Sequence, residues 1–215
     1  ILLSALYKSL LIGMSSATIS TFFGLLIAIA FVRFSAFRAR LTLSLVASAP
    51  LVMPEAVTGL SMLLLFIAME TTFGWPSGRG VDTIMIAHAT FGMCFAAVVI
   101  QTRLRVMDRY LEEAARDLGE RQPFVFMSVT LPLIFPSIIA AWLLSFTLSF
   151  DDLVIASFVS GPGSSTLPIV IFSKIRLGVS PEINAIATLM ILTISGMVLA
   201  GSMLILKRDG RGKKN

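Results

Sequence analysis

The sequence predicts an all-α, polytopic membrane helix bundle, and three observations carry that reading. Of the 215 residues, 56% are hydrophobic and 13% charged, about half the roughly 25% charge of a soluble domain. The mean hydropathy is +0.92. Five windows between charged residues, one of them interrupted by Glu55, are each long enough to supply the roughly 20 apolar residues that cross a bilayer. A soluble fold must leave much of its area facing water and could not hide so much apolar surface. Soluble enzymes, nucleic-acid binders and disulfide-stapled secreted folds therefore fit poorly. The one cysteine, Cys94, excludes an internal disulfide and a multi-thiolate metal site.

The charge-free stretches define the spans in order. Lys8 to Arg33 encloses 24 residues, Arg40 to Glu70 29 (interrupted by Pro50, Pro54 and Glu55), and Asp82 to Arg103 20. Arg121 to Asp151 encloses 29, its membrane part starting near Leu131, and Glu182 to Lys207 encloses 24. The second stretch is too long for one straight crossing. Its prolines predict a bend, or a split into an interfacial helix over about 41–49 and a span over about 52–69. Between the fourth and fifth spans lies the Gly/Pro-rich segment Gly161–Pro168, then Ile169–Leu177, too short and too charged to cross.

Lysine and arginine set the orientation. Of the 17 positive residues, 13 fall in three segments: Arg33–Arg40, Arg103–Arg121 and the tail from Lys207. By the positive-inside rule these are cytoplasmic, so the net charge of +5 is a topological signal and not a nucleic-acid footprint. The C-terminus is then inside and Ile1 outside, and an earlier helix is the expected missing piece. The organisation expected is a permease domain over 1–206, with a cytoplasmic loop at about 103–132, and a basic tail over 207–215.

That loop is the most informative segment. Leu111, Ala114, Ala115 and Leu118 fall at i, i+3, i+4 and i+7 and form one narrow apolar face. Gly119 suits a left-handed helix end and Pro123 prevents continuation. Interfacial membrane anchors favour basic polar faces and bulky apolar residues, whereas this helix is acidic and alanine-rich. Small residues permit close approach, so docking into a protein groove is the expectation, with a solvated loop as the alternative.

Glu113-Ala114-Ala115, three residues, Gly119, nine residues, then Val129-Thr130-Leu131-Pro132 resembles the E-A-A loop of binding-protein-dependent ABC importer permeases. Val129 for isoleucine is its one departure. The resemblance implies a type I (MetI-like) permease fold. It also implies that Glu113, Ala114, Ala115, Gly119, Leu131 and Pro132 couple the chain to a separate ATPase subunit. No phosphate-binding loop of the G-x-x-x-x-G-K-[ST] kind is present. ATP and magnesium are therefore expected on that partner, with no cofactor, metal or catalytic residue in this chain.

The acids Glu55, Asp82, Asp151, Asp152 and Glu182 sit within spans or at their outer ends, where ionisable groups are costly and usually face a cavity or partner. Asp151 lies 19 residues beyond Pro132, roughly 28 Å along a helix, which places the pair toward the outer mouth. Glu55, Asp151, Asp152 and Glu182 are the candidate substrate path for a cation. Alternatively, Asp151 caps a local helix while Asp152 faces water, and Glu55 bonds backbone freed by the prolines. Asp82 and Glu182 alternatively read as cap or loop residues. His88 reads as a packing or helix–helix hydrogen-bonding group.

Ser149-Phe150-Asp151-Asp152-Leu153, Gly161-Pro162-Gly163, Thr166-Leu167-Pro168 and Gly178-Val179-Ser180-Pro181-Glu182-Ile183-Asn184-Ala185 resemble putrescine/spermidine importer permeases in particular. What this implies is an inner-membrane heterodimer with a second permease. Two ATPase subunits and a soluble periplasmic polyamine-binding protein complete the implied complex. A permease for another small substrate, or a gradient-driven secondary transporter, is the rival reading. An intramembrane hydrolase built on His88 lacks a G-x-S-x-G element.

Overall fold

A computed structural model describes the backbone of residues 2–34, 40–108, 110–177 and 181–212, and their side chains except those of 177–183, 186 and 204–212. Every regular element among the described residues is helical: α1 (Leu2–Arg33), α2 (Arg40–Val52), α3 (Glu55–Phe73), α4 (Val81–Val106), α5 (Tyr110–Asp117), α6 (Gln122–Val125), α7 (Leu131–Phe150), α8 (Val154–Val159), α9 (Leu167–Leu177) and α10 (Pro181–Gly212), with one π-helical turn, Phe126–Thr130, joining α6 to α7. Four membrane-length apolar helices match the first four expected spans: α1, α3, α4 and the continuous run Gln122–Phe150. The fifth expected span is α10, whose described apolar stretch is Ala187–Met203.

The core is the three-helix contact of α1, α4 and α7. It is built from small residues because lipid tails supply no hydrophobic drive, so stability comes from close approach of backbones. A β-carbon on Gly24 of α1 would meet Ala96 Cβ at 2.7 Å and the Ala97 amide nitrogen at 2.9 Å on α4. Serines line the same seam: Ser20 Oγ donates to Ala89 O at 3.0 Å and Ser145 Oγ to Gly92 O at 3.4 Å.

The second charge-free stretch splits as its prolines demand. Pro50 removes a donor inside α2. Pro54 pushes its predecessor out of helical conformation, and α3 begins anew at Glu55. The expected interfacial helix is longer than 41–49. It also lies against α4: Arg40, Ser44, Ala47, Ser48 and Leu51 share a cleft with Cys94, Ala97, Gln101 and Arg105. The break between α2 and α3 thus falls inside the bundle's depth. Both helices are largely exposed: α2 buries no residue, and α3 buries only Thr58, Gly59 and Phe66.

The π-turn has a similar cause. Leu131 N–H reaches back five residues to Phe126 O, widening the helix just before Pro132, whose ring would clash with an α-helical carbonyl four residues earlier. At the other end, α8 rests on α3 and α4, and α9 rests on α1. Leu167 N–H donates to Ser9 Oγ at 2.8 Å, and Lys8 Nζ donates to Gly163 O.

Candidate functional site

Two groups of residues stand out, one at each side of the bundle. The first is α5 and the turn that follows it. Asp108 Oδ1 accepts the Tyr110 N–H at 3.0 Å and opens the helix. At the other end Gly119 has φ +90°. Its N–H reaches Arg116 O at 2.8 Å and the Glu120 N–H reaches Ala115 O at 3.3 Å, the paired bonds of a Schellman cap. This is the left-handed ending that Gly119 implied.

The orientation of α5 was not legible from periodicity. Helices normally bury the apolar stripe, but Leu111 and Leu118 are 49% and 86% exposed, while Glu112 is 5% exposed. Ala114 is exposed and Ala115 half-buried. Glu112 points inward, where its Oε1 accepts from Arg33 Nη2 at the end of α1 and from Thr130 Oγ1 in the π-turn. The residue that anchors the loop is therefore Glu112, which the sequence reading passed over, and Glu113 is exposed. The signal available was its position on the side of the helix away from Leu111 and Leu118. Leu131 and Pro132 follow directly on the π-turn.

Removing the anchor has a measurable consequence. Glu112→Ala leaves a guanidinium that is only 23% exposed without its partner, a loss on the order of 2 kcal/mol. That raises the open population of the loop roughly 30-fold. Trypsin cleavage within 107–121 should rise to match, with Glu112→Gln intermediate. A cleavage rate equal to wild type would show that the tie holds nothing.

The second group surrounds the start of α8. Asp152, not Asp151, is the cap: its carboxylate accepts Ile155 N–H at 3.2 Å and Ala156 N–H at 2.7 Å. Its side chain is 8% exposed, so it does not face water, and its Oδ2 lies 3.0 Å from His88 Nε2. His88 Nδ1 lies 2.7 Å from Ser149 Oγ, which lies 3.2 Å from Ser16 Oγ. The alternative roles considered for the two aspartates are thus reversed. His88 is buried, as a helix–helix hydrogen-bonding group should be, but its partner is a carboxylate 64 residues away.

Asp151 and Glu55 are both exposed, and Asp151 lies within electrostatic reach of Glu55, Asp152 and His88. The structure brings these two carboxylates together because α8 packs on α3 just above Glu55: a β-carbon on Gly59 would meet Phe158 and Ile155. Glu55 does not accept from the backbone at this helix start, since the Val57 and Thr58 N–H groups already donate to Pro54 O. His88 is seven residues into α4, so the group sits about 10 Å from the Val81 end of that helix. Asp82 is in the first turn of α4, where an acid complements the helix dipole. Glu182 belongs to α10, and its side chain lies outside the described residues.

A helical bundle with exposed carboxylates inside its span region, and a loop helix presenting its apolar side outward, defines a membrane transport subunit that works within a larger assembly. Residues 20–208 match the family described as binding-protein-dependent transport system inner membrane component. The chain belongs to that family, and it is a multi-pass, non-catalytic component of an ABC transport system. It is 53% identical over 190 residues to the putrescine transport system permease protein PotI of Escherichia coli K12, covering 88% of this chain and 68% of the relative. To the spermidine/putrescine transport system permease protein PotC of the same strain it is 37% identical over 203 residues, covering 94% and 74%. Among solved structures it resembles the inward-facing MetNI methionine ABC transporter, with a TM-score of 0.77 at 16% identity, covering 97% of this chain and 96% of that one. At that identity the likeness establishes the MetI-like fold.

Proposed function

We propose that this chain is the transmembrane subunit of an ATP-driven importer that carries a polyamine, putrescine or spermidine, into the cytoplasm. The observation that carries the reading is the pair Glu55 and Asp151, two carboxylates exposed within the span region of the bundle. Acids in such a position require a cavity, a partner or a cation. An elongated cation with an ammonium at each end supplies the matching charge. The permease relatives named for putrescine and spermidine support the same substrate class.

In this reading α5 is the coupling helix. Its exposed Leu111 and Leu118 seat in a groove of the ATPase subunit, and Glu113, Ala114 and Ala115 lie at the contact. ATP and magnesium stay on that partner. Closure of the ATPase dimer displaces α5, and through the Glu112 tie it shifts the inner ends of α1 and α7. The exposed faces of α2 and α3 meet a second permease subunit. Two ATPase subunits and a soluble periplasmic binding protein complete the assembly, and the basic C-terminal tail lies in the cytoplasm.

The test is uptake into proteoliposomes by the complete complex, with labelled putrescine and unlabelled diamines and triamines as competitors. Saturable, ATP-dependent uptake competed by both classes is expected. Uptake that persists without ATP and collapses with the ion gradient would establish the secondary-transporter reading instead.

A further inference from the structure

His88 and its neighbours form a hydrogen-bonded line whose protons can be counted. Ser16 Oγ donates to Ile12 O. Its single proton is thereby used, so the Ser16–Ser149 contact at 3.2 Å needs the Ser149 proton. The Ser149–His88 contact at 2.7 Å then needs a proton from His88 Nδ1. Asp152 Oδ2, at 3.0 Å from Nε2, accepts as a carboxylate and needs the proton on Nε2. With Asp152 a carboxylate, all four contacts are made together only when both ring nitrogens carry hydrogen. A neutral ring beside that carboxylate leaves one of the four without a donor, in a place where His88 and Ser16 are 4% and 0% exposed. Unmade bonds are costly in so dry a setting.

The groups around the ring are few. Ser149 belongs to α7 and Ser16 to α1. Asp151 and Asp152 come from the α7–α8 junction, and Glu55 from the start of α3. Among the described residues, Asp152 is the one carboxylate in direct contact with the ring.

We propose that His88 is a specificity-determining positioning residue: as an imidazolium it pins and neutralises Asp152, so that two carboxylates, Glu55 and Asp151, face the substrate path and not three. This rests on the polyamine reading above and adds the charge count to it. A site of net charge −2 matches a diamine. Without the histidine charge the same site carries −3 and favours a triamine. The geometry of α8 depends on the same contact, because the carboxylate that His88 holds also caps that helix.

The experiment uses the complete complex in proteoliposomes and reads the ratio of spermidine to putrescine kcat/KM. His88→Gln, which retains one donor and one acceptor but no charge, should raise that ratio about tenfold. That is the order expected of one further unit charge roughly 10 Å away at an effective dielectric near 20. His88→Gln combined with Asp152→Asn, which keeps a capping residue, removes both charges and should return the ratio to within about twofold of wild type. A merely structural role predicts no such rescue. Ser149→Ala, a smaller change that withdraws the Nδ1 partner, should move the ratio in the same direction and serves if His88→Gln fails to assemble. A ratio unmoved in the assembled variants, or a double variant further from wild type than His88→Gln, overturns the inference. If Glu55→Gln with Asp151→Asn leaves uptake unchanged, the polyamine path itself falls and the inference with it. If that pair reduces uptake while the His88 and Ser149 variants keep the wild-type ratio, the inference alone falls.

Discussion

Gly119→Val is expected to reduce ATP-driven uptake at least tenfold while the subunit still inserts and assembles. A β-carbon at this position would meet nothing within 4 Å, so the effect is one of backbone conformation and not of crowding. At φ +90° an L-residue pays about 1–2 kcal/mol, and a β-branched one suffers most. Relief of that strain breaks the bonds from Gly119 and Glu120 back to Arg116 and Ala115. The last turn of α5 then unwinds, and Leu118 moves off the apolar face proposed to enter the ATPase groove. Binding-protein-stimulated ATPase activity should fall in step with uptake. Gly78, on the loop before α4, has the same φ and the same empty surroundings, so Gly78→Val is the matched control and should leave coupling intact. Normal uptake in Gly119→Val would sink the docking role of α5.

Combining Glu55→Gln with Asp151→Asn is expected to lower uptake by at least tenfold, expressed mainly in the apparent KM for substrate. Both changes keep size and polarity and remove only charge. Asp151 closes α7 through its backbone N–H and not its side chain, and neither side chain anchors an ion pair among the described residues, so assembly and basal ATPase activity should remain. Two unit charges at an effective dielectric near 20 interact by about 4 kcal/mol at 4 Å. Even a small fraction of that across two ammonium contacts exceeds the 1.4 kcal/mol that makes a factor of ten. Each single variant should fall between wild type and the pair. Uptake kinetics equal to wild type in the pair would remove these residues from the path.

Much of the architecture was legible because membrane solvation is a strong constraint. Uncharged stretches located the spans, and Pro50 and Pro54 located the break between α2 and α3 to within a few residues. The ending of α5 could be read because few residues other than glycine occupy a left-handed position comfortably. What could not be read was the direction each face turns. Periodicity gathers Leu111, Ala114, Ala115 and Leu118 on one side of a helix, but it cannot say that this side looks away from the protein. The site failed to appear in the sequence for a second reason. The bond from His88 to Asp152 joins α4 to the start of α8, and a pairing across 64 residues leaves no local spacing to detect. Adjacent Asp151 and Asp152 looked equivalent on paper, and only the helix start at Val154 separates a capping carboxylate from an exposed one.

The tie at Glu112 gives the α5 loop an unequal attachment. Although α5 follows α4 in the chain, its buried carboxylate is fastened to Arg33 of α1 and Thr130 below α7. Met107 and Asp108 connect it to α4 through a short non-helical stretch. Among the described residues, α5 is thus held to α1 and α7 by side-chain bonds, while Met107 and Asp108 lead into it from α4 along the chain. On the coupling role proposed for α5, the loop would act as a crank fastened at α1 and α7, and its stroke would bear on the seam with α4 where Gly24 meets Ala96 and the serines line up.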